Sequence, residues 1–278
     1  MNFMKNRINS ILLLSLFLAP ALYGVSSTTL DYDFTGDFDA TFSQAVGQGA
    51  GEWFQDGGVG NFVSPDTFFT NPTLTLDTYY LPYDTDWDLS LDITVPSLYD
   101  TNLMENALFG NKFVSAFLGV FFINEFDELF SAAAGLEVVS PYDDGTSRRY
   151  VGEYIDQGGF QGTNAVNTAA EAITATLLFD STDKLLTVRG DTEDLFTLDL
   201  DDSETGWGMT EEDFFLISIE GRSNLNEVFM TDPITVDNLT ATGAMTGTEV
   251  IPEPSAVGLV LGFIALSGIL LRRRMSNF

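Results

Sequence analysis

The 278-residue chain contains no cysteine and no histidine. Without cysteine there is no disulfide framework and no thiolate nucleophile or ligand. Without histidine there is no imidazole base, which excludes a serine–histidine–aspartate triad and removes the commonest nitrogen ligand for zinc. Basic residues are scarce: Lys and Arg number 11 against 41 Asp and Glu, for a formal net charge of −30. Between residues 25 and 250 only six of the basic residues (Lys112, Arg148, Arg149, Lys184, Arg189 and Arg222) face 40 of the acidic ones, leaving −34. Such a surface repels nucleic acid and anionic polymers. It favours solubility and divalent cations, and it equally suits a salty medium. A largely apolar, uncharged run stands at each end of the chain.

The first run follows Lys5 and Arg7 and extends from Ile11 to Leu18, interrupted only by Ser15. Small residues come next at Ala19, Ala21, Gly24, Ser26 and Ser27. A positive segment, a short apolar stretch and small residues, in that order, predict a secretory signal peptide over 1–24, with Ala21 and Gly24 both acceptable as the last residue removed. The second run, Ser255 to Leu271, is uncharged and is closed by Arg272, Arg273 and Arg274. As a helix it would extend about 25 Å, enough to cross a thin bilayer. The arginines would stay on the cytoplasmic side and leave the preceding body outside. Pro252, Glu253, Pro254 and Ser255, then the apolar run and the three arginines, resemble the PEP-CTERM sorting signal. That resemblance covers 251–278, with the membrane segment at 255–271. It implies a Gram-negative exporter of polysaccharide and an exosortase-type membrane peptidase as partner. The chain would be held in the membrane by its C-terminus, or lie at the cell surface or outside after processing.

The body, 25–248, is patterned as strands. In Trp87–Val95, Trp87, Leu89, Leu91, Ile93 and Val95 alternate with Asp88, Ser90, Asp92 and Thr94, a period of two that predicts one buried and one wet face. Thr73–Tyr80 repeats the pattern. Ala172–Phe179 and Lys184–Val188 flank the turn Asp180–Asp183 and predict a hairpin. Phe214–Ile219, Pro233–Thr242 and Arg149–Ile155 predict further strands, and Lys112–Ile123, apolar on both parities, predicts a central one. Gly-rich joins at 47–51, 57–60 and 158–162 predict loops. In Ile123–Ala134 the stripe Phe126, Leu129, Phe130 and Ala133 has helical spacing and predicts the one helix. About ten antiparallel strands predict an all-β, jelly-roll-like β-sandwich. The Thr174–Val188 hairpin, Phe214–Ile219 before Glu220-Gly221, and the closing Val236-Asp237-Asn238-Leu239 resemble the concanavalin-like jelly rolls. That family contains glycan-binding and glycan-cleaving domains.

Catalytic residues are not evident. The resemblance would imply Glu-x-Asp-x-x-Glu in a glucanase, and no such motif occurs. Glu211–Asp213 and Asp201–Glu204 suit solvated turns. Asp31-Tyr-Asp33-Phe-Thr-Gly36-Asp37-Phe-Asp39 has EF-hand spacing over nine positions, but the twelfth is Phe42, not glutamate. First and last strands lie side by side in many jelly rolls, which makes Asp31, Asp33 and Asp237 the candidate ligands of a structural calcium. Charged residues that block edge pairing are the plainer reading of these aspartates. Trp53, Tyr79, Tyr80, Tyr83, Trp87 and Trp207 are the rings available to stack on sugars, with Trp87 expected in the core. The expectation is a non-enzymatic surface or matrix protein with weak affinity for extracellular polysaccharide. The alternative is a secreted polysaccharide-degrading enzyme, a glycoside hydrolase or lyase.

The tail reading has a direct test. Truncation after Gly247 should leave the circular dichroism and melting temperature unchanged and release the body from cells. Replacing Arg272, Arg273 and Arg274 by glutamate should impair retention and maturation without altering stability. Aggregation of the truncated chain alone would make the tail part of the fold.

Overall fold

The computed structural model describes residues 27–36, 38–45, 51–63, 71–95, 112–126, 128–140, 147–156, 161–203, 206–223 and 233–246. The leader (1–24), the sorting residues Pro252 to Ser255, the segment 255–271 and Arg272 to Arg274 lie outside them, as do most of the Gly-rich joins at 47–51 and 158–162. By its contacts the chain divides into two units, Met1–Thr246 and Gly247–Phe278; the first carries the fold. Among the described residues no helix is long and apolar enough to cross a membrane.

The alternation seen in sequence becomes a two-leaf antiparallel sandwich. The first leaf runs β10 (Gln161–Thr168), β9 (Ser147–Ile155), β8 (Leu129–Ser140), β7 (Lys112–Ile123), β14 (Phe214–Ser223) and β5 (Thr73–Pro82). The short β2 (Phe42–Ala45) pairs with β5 at its edge. The second leaf runs β15 (Ile234–Thr246), β6 (Trp87–Thr94), β11 (Ala172–Asp180), β12 (Leu185–Gly190) and β13 (Glu193–Asp199). Along the free side of β15 lie β1 (Ser27–Tyr32) and β4 (Val59–Val63), the latter paired to β3 (Glu52–Asp56). The leaves join where Met245 and Thr246 pair with Tyr80 and Tyr79. A single turn of helix, α1 (Phe38–Thr41), leads into β2.

The interior is built from alternate residues of each strand. Leu89, Leu91 and Ile93 of β6, and Leu177 and Val188 of the β11–β12 hairpin, face Val114, Ala116, Leu118 and Val120 of β7 and Ala132, Ala134, Leu136 and Val138 of β8; all are buried. Each buried Val, Leu or Ile among them stabilises the fold by about 1.5–3 kcal/mol through loss of apolar surface to water. One end of the interior is filled by rings. Phe215 meets Trp87 at 5.2 Å, Phe179 at 5.3 Å, Trp207 at 5.9 Å and Tyr83 at 6.1 Å. Trp53, Trp87 and Trp207 are therefore core residues, and Trp53 and Trp87 give their indole N–H to the carbonyls of Pro72 and Pro82.

Most predicted strands and the 180–183 turn are present; Asp180 accepts from the amides of Thr182 and Asp183, and Asp86 from Ser181. The predicted helix is not. Ile123–Ala134 is the end of β7, a tight turn and the start of β8, with unbroken pairing from Lys112↔Ser140 to Ile123↔Leu129. An alanine run has high helix propensity, but β7 leaves a row of backbone groups to be satisfied, and small side chains fit the crowded centre of a leaf. Gly135 shows this crowding: a Cβ there would lie 2.3 Å from the Ala116 carbonyl oxygen. The Asp237-Asn238-Leu239 signature is a bulge between β15 and β6. Asn238 takes φ 51° and donates to Asp92, which also accepts from Thr174, so the facing Asp92 and Asp237 are kept apart in role. Leu239 is buried.

Because four rings converge on it, Phe215→Ala should lower stability by about 3–5 kcal/mol, read as a reduced urea midpoint with little change in slope. A loss below about 1 kcal/mol would remove the ring cluster from its place as the lock between the leaves.

Candidate functional site

Residues of the first leaf that do not face the interior form its outer face. Their cross-strand rows follow from the register. One row is Thr163, Glu153, Ala133, Gly119, Ser218 and Thr75. The next is Val151, Gly135, Phe117, Glu220 and Thr73, and the third is Arg149, Glu137, Ser115 and Arg222. Small residues at Ala133, Gly119 and Gly135 leave a trough over the sheet. It is a cleft of about 430 Å³ whose lining includes Glu137, Glu153, Tyr154, Ser218, Glu220 and Arg222.

Arg222 crosses this trough. Its guanidinium lies over the Phe117 ring, 4.4 Å from the centroid. It donates to Glu153 at 2.5 Å and to Glu220 at 2.7 Å. Burial by itself would make the guanidinium easier to deprotonate, but the two carboxylates outweigh it and raise its pKa, so the group stays charged. Arg149 donates through Nε to Glu137 at 2.6 Å beside it. Below this network Ser115 is fully buried, and its hydroxyl has no protein partner. A buried hydroxyl without a partner is uncommon and suits a buried water. The groups sit on strands, so their geometry is set by the sheet.

The sequence candidates fare differently. Trp53, Trp87, Trp207 and Tyr83 are buried. The Tyr83 phenol is pushed up by burial and by its hydrogen bond to Asp201 at 2.8 Å. Tyr79 packs on the core, and Tyr80 lies against Phe214. β1 and β15 do lie side by side, but Asp31 is opposite Thr240. Asp33 accepts from the amide and hydroxyl of Thr35, which hold its carboxyl below its ordinary pKa. Asp237 accepts from the amide of Asn238. Among the described residues no three acidic side chains gather to hold a metal ion. Calcium wants six to eight oxygens, so Asp31, Asp33 and Asp237 do not fit one as arranged.

Glu137, Glu153, Glu220 and Arg222 are not among the sequence candidates. Each is a charge at a position of the outer parity of its strand. Nothing along the chain joins β8, β9 and β14 into one surface.

No protein-family model and no curated protein matches the sequence. In structure the chain is similar to the carbohydrate recognition domain of Emp47p (12% identity, TM-score 0.43, covering 79% of this chain and 96% of that one). It is also similar to lectin II from Ulex europaeus (9% identity, TM-score 0.46, 79% and 99%). A third likeness is to an endo-1,3-beta-glucanase from Streptomyces sioyaensis (12% identity, TM-score 0.48, 81% and 98%). These likenesses concern the sandwich alone. Enzymes stand among the similar structures beside lectins, so the expectation that the chain is not an enzyme is not kept, and the shared fold assigns neither role.

The ion network predicts a specific pattern of stability. Arg222→Met should cost about 2–4 kcal/mol by leaving two carboxylates uncompensated. Adding Glu153→Gln and Glu220→Gln should recover most of that loss. Equal loss in the single and triple variants, measured by urea unfolding, would mean that the arginine acts by packing alone.

Proposed function

We propose that the chain is an exported surface or matrix protein that binds a neutral extracellular polysaccharide in the cleft of its first leaf. The observation that carries this is the Glu153–Arg222–Glu220 arrangement in an open trough. Its side chains are 21–29% exposed, partly desolvated yet within reach of a ligand. Carboxylates accept hydrogen bonds from sugar hydroxyls, and a guanidinium donates to their oxygens. Adjacent hydroxyls can therefore engage both members of each ion pair. The charge of −34 on 25–250 disfavours a polyanion. Export and retention rest on the leader and on the tail, with Pro252 to Ser255 and Arg272 to Arg274 as the features an exosortase-type peptidase would read.

A second reading, a polysaccharide-degrading enzyme, is favoured by one observation. Glu153 and Glu220 bracket a single guanidinium in the same cleft, and glycoside hydrolysis uses two carboxylates around the bound sugar.

Binding of the chain to a panel of neutral and uronic-acid polysaccharides, with reducing ends assayed in parallel, separates these readings. Binding to a neutral polymer should weaken about tenfold in Glu153→Gln and in Glu220→Gln, the loss of a charge-assisted hydrogen bond. Reducing ends that appear with the native chain and vanish in both variants, while binding persists, would establish the enzyme. Failure to bind any neutral polymer would overturn the binding proposal.

A further inference from the structure

Among the described residues the strands hydrogen-bonded on one side only are β1, β2, β3, β10 and β13. An open edge offers unpaired amides and carbonyls to a further strand, and proteins protect it with charge, a bulge or short length. All but β10 are protected in this way. β1 carries Asp31 and a bulge between Thr28 and Leu30. β2 has only four residues, and β3 carries Glu52 and Asp56. β13 carries Glu193, Asp194 and Asp199 and is bulged against β12. β10, Gln161–Thr168, is eight residues without charge or proline. It pairs with β9 in unbroken register from Gln161↔Ile155 to Thr168↔Arg148. Thr163, Asn164, Ala165 and Asn167 are exposed.

The charges beside this edge are cancelled. β9 carries Arg148, Arg149 and Glu153, and each is held in an ion pair, with Glu171, Glu137 and Arg222 respectively. β10 is therefore a neutral strip on a body of charge −34. We infer that β10 pairs antiparallel with β10 of a second copy about a two-fold axis, joining two first leaves into one sheet. Charge selects this occupant. An anionic strand is repelled by the body, and a cationic one finds no carboxylate on β10 to engage. β10 of another copy is neutral and presents the same length of unpaired backbone. The geometry also closes. With the axis normal to the sheet, one residue of β10 lies opposite itself, and the outer faces of both leaves point the same way. Gly162 and Thr163 line the cleft, so two clefts open toward the joint. Glu153 then lies three strand spacings from its copy, about 14 Å measured across the strands. The union of the clefts bears on ligand binding through the glycan reading above, on which that consequence rests; the pairing itself stands without it.

The absence of cysteine makes the test direct. Single cysteines are placed in the full chain, in a mild detergent, at each position from Thr163 to Asn167. Oxidation should give a disulfide-linked dimer at one position, with the yield falling away on either side, because the bond needs Cα atoms within about 7 Å. Thr182→Cys, exposed in the 180–183 turn, should give none. Each body carries −34, so the yield should rise with salt as the repulsion is screened. Adding Ala165→Lys, or Asn167→Lys where Ala165 is the linked position, should abolish the dimer and leave the circular dichroism unchanged. A monomer at every salt concentration would overturn the inference, as would an even yield from Thr163 to Asn167. A dimer that forms equally in Thr182→Cys, or that survives the added lysine, would assign the contact to another part of the chain and overturn it too. The experiment contains no ligand, so its failure is distinct from failure of the glycan reading.

Discussion

The register of β14 against β7 is the constraint on which both the core and the cleft depend. Phe215, Ile217 and Ile219 point inward, while Ser218, Glu220 and Arg222 point outward, and Leu216↔Phe121 through Ser223↔Val114 fixes that choice. Side chains alternate with a period of two, so a slip by one residue would bury Glu220 and Arg222 and expose the three apolar side chains. The cost would be several unpaired buried charges together with the loss of the ring cluster around Phe215. Packing of the interior thereby enforces the geometry of a site that has no contact with it.

A second constraint acts across the strands. Gly119, Ala133 and Gly135 keep the middle of the outer face low, which gives Arg222 a path from β14 toward Glu153 on β9. At Gly135 the limit is severe, because a Cβ would also fall 2.5 Å from the Phe117 ring on which the guanidinium rests. A ring, a cation and two carboxylates then hold one another in place. Such a network is costly to leave half-satisfied, which gives each member a structural role beside any role in recognition.

Local pattern made some of this legible. Trp87–Val95 and the Ala172–Val188 hairpin carry their alternation and their turn within a few residues, and both are present as read. The stretch Ile123–Ala134 misled because four apolar residues happen to share helical spacing. In the sandwich Phe130 faces the core, Leu129 faces out, and Phe126 sits in a turn shaped by Asn124. Asp31, Asp33 and Asp237 were brought to neighbouring strands as expected, yet their carboxylates are engaged locally or face solvent. Proximity of strands does not make acidic groups converge.

Composition and side-chain period are enough to define the class of chemistry and the class of fold. With no cysteine, no histidine and a large acidic excess, thiol and imidazole catalysis and polyanion binding are disfavoured by composition alone, and period-two alternation demands sheets with one dry face. Which charges meet is set by long-range strand pairing. Glu137, Glu153, Glu220 and Arg222 lie up to 85 positions apart, on strands that become neighbours by long-range pairing. Side-chain period says which face a residue takes. It carries no information about which strand lies beside it, and the cleft exists only in that second relation.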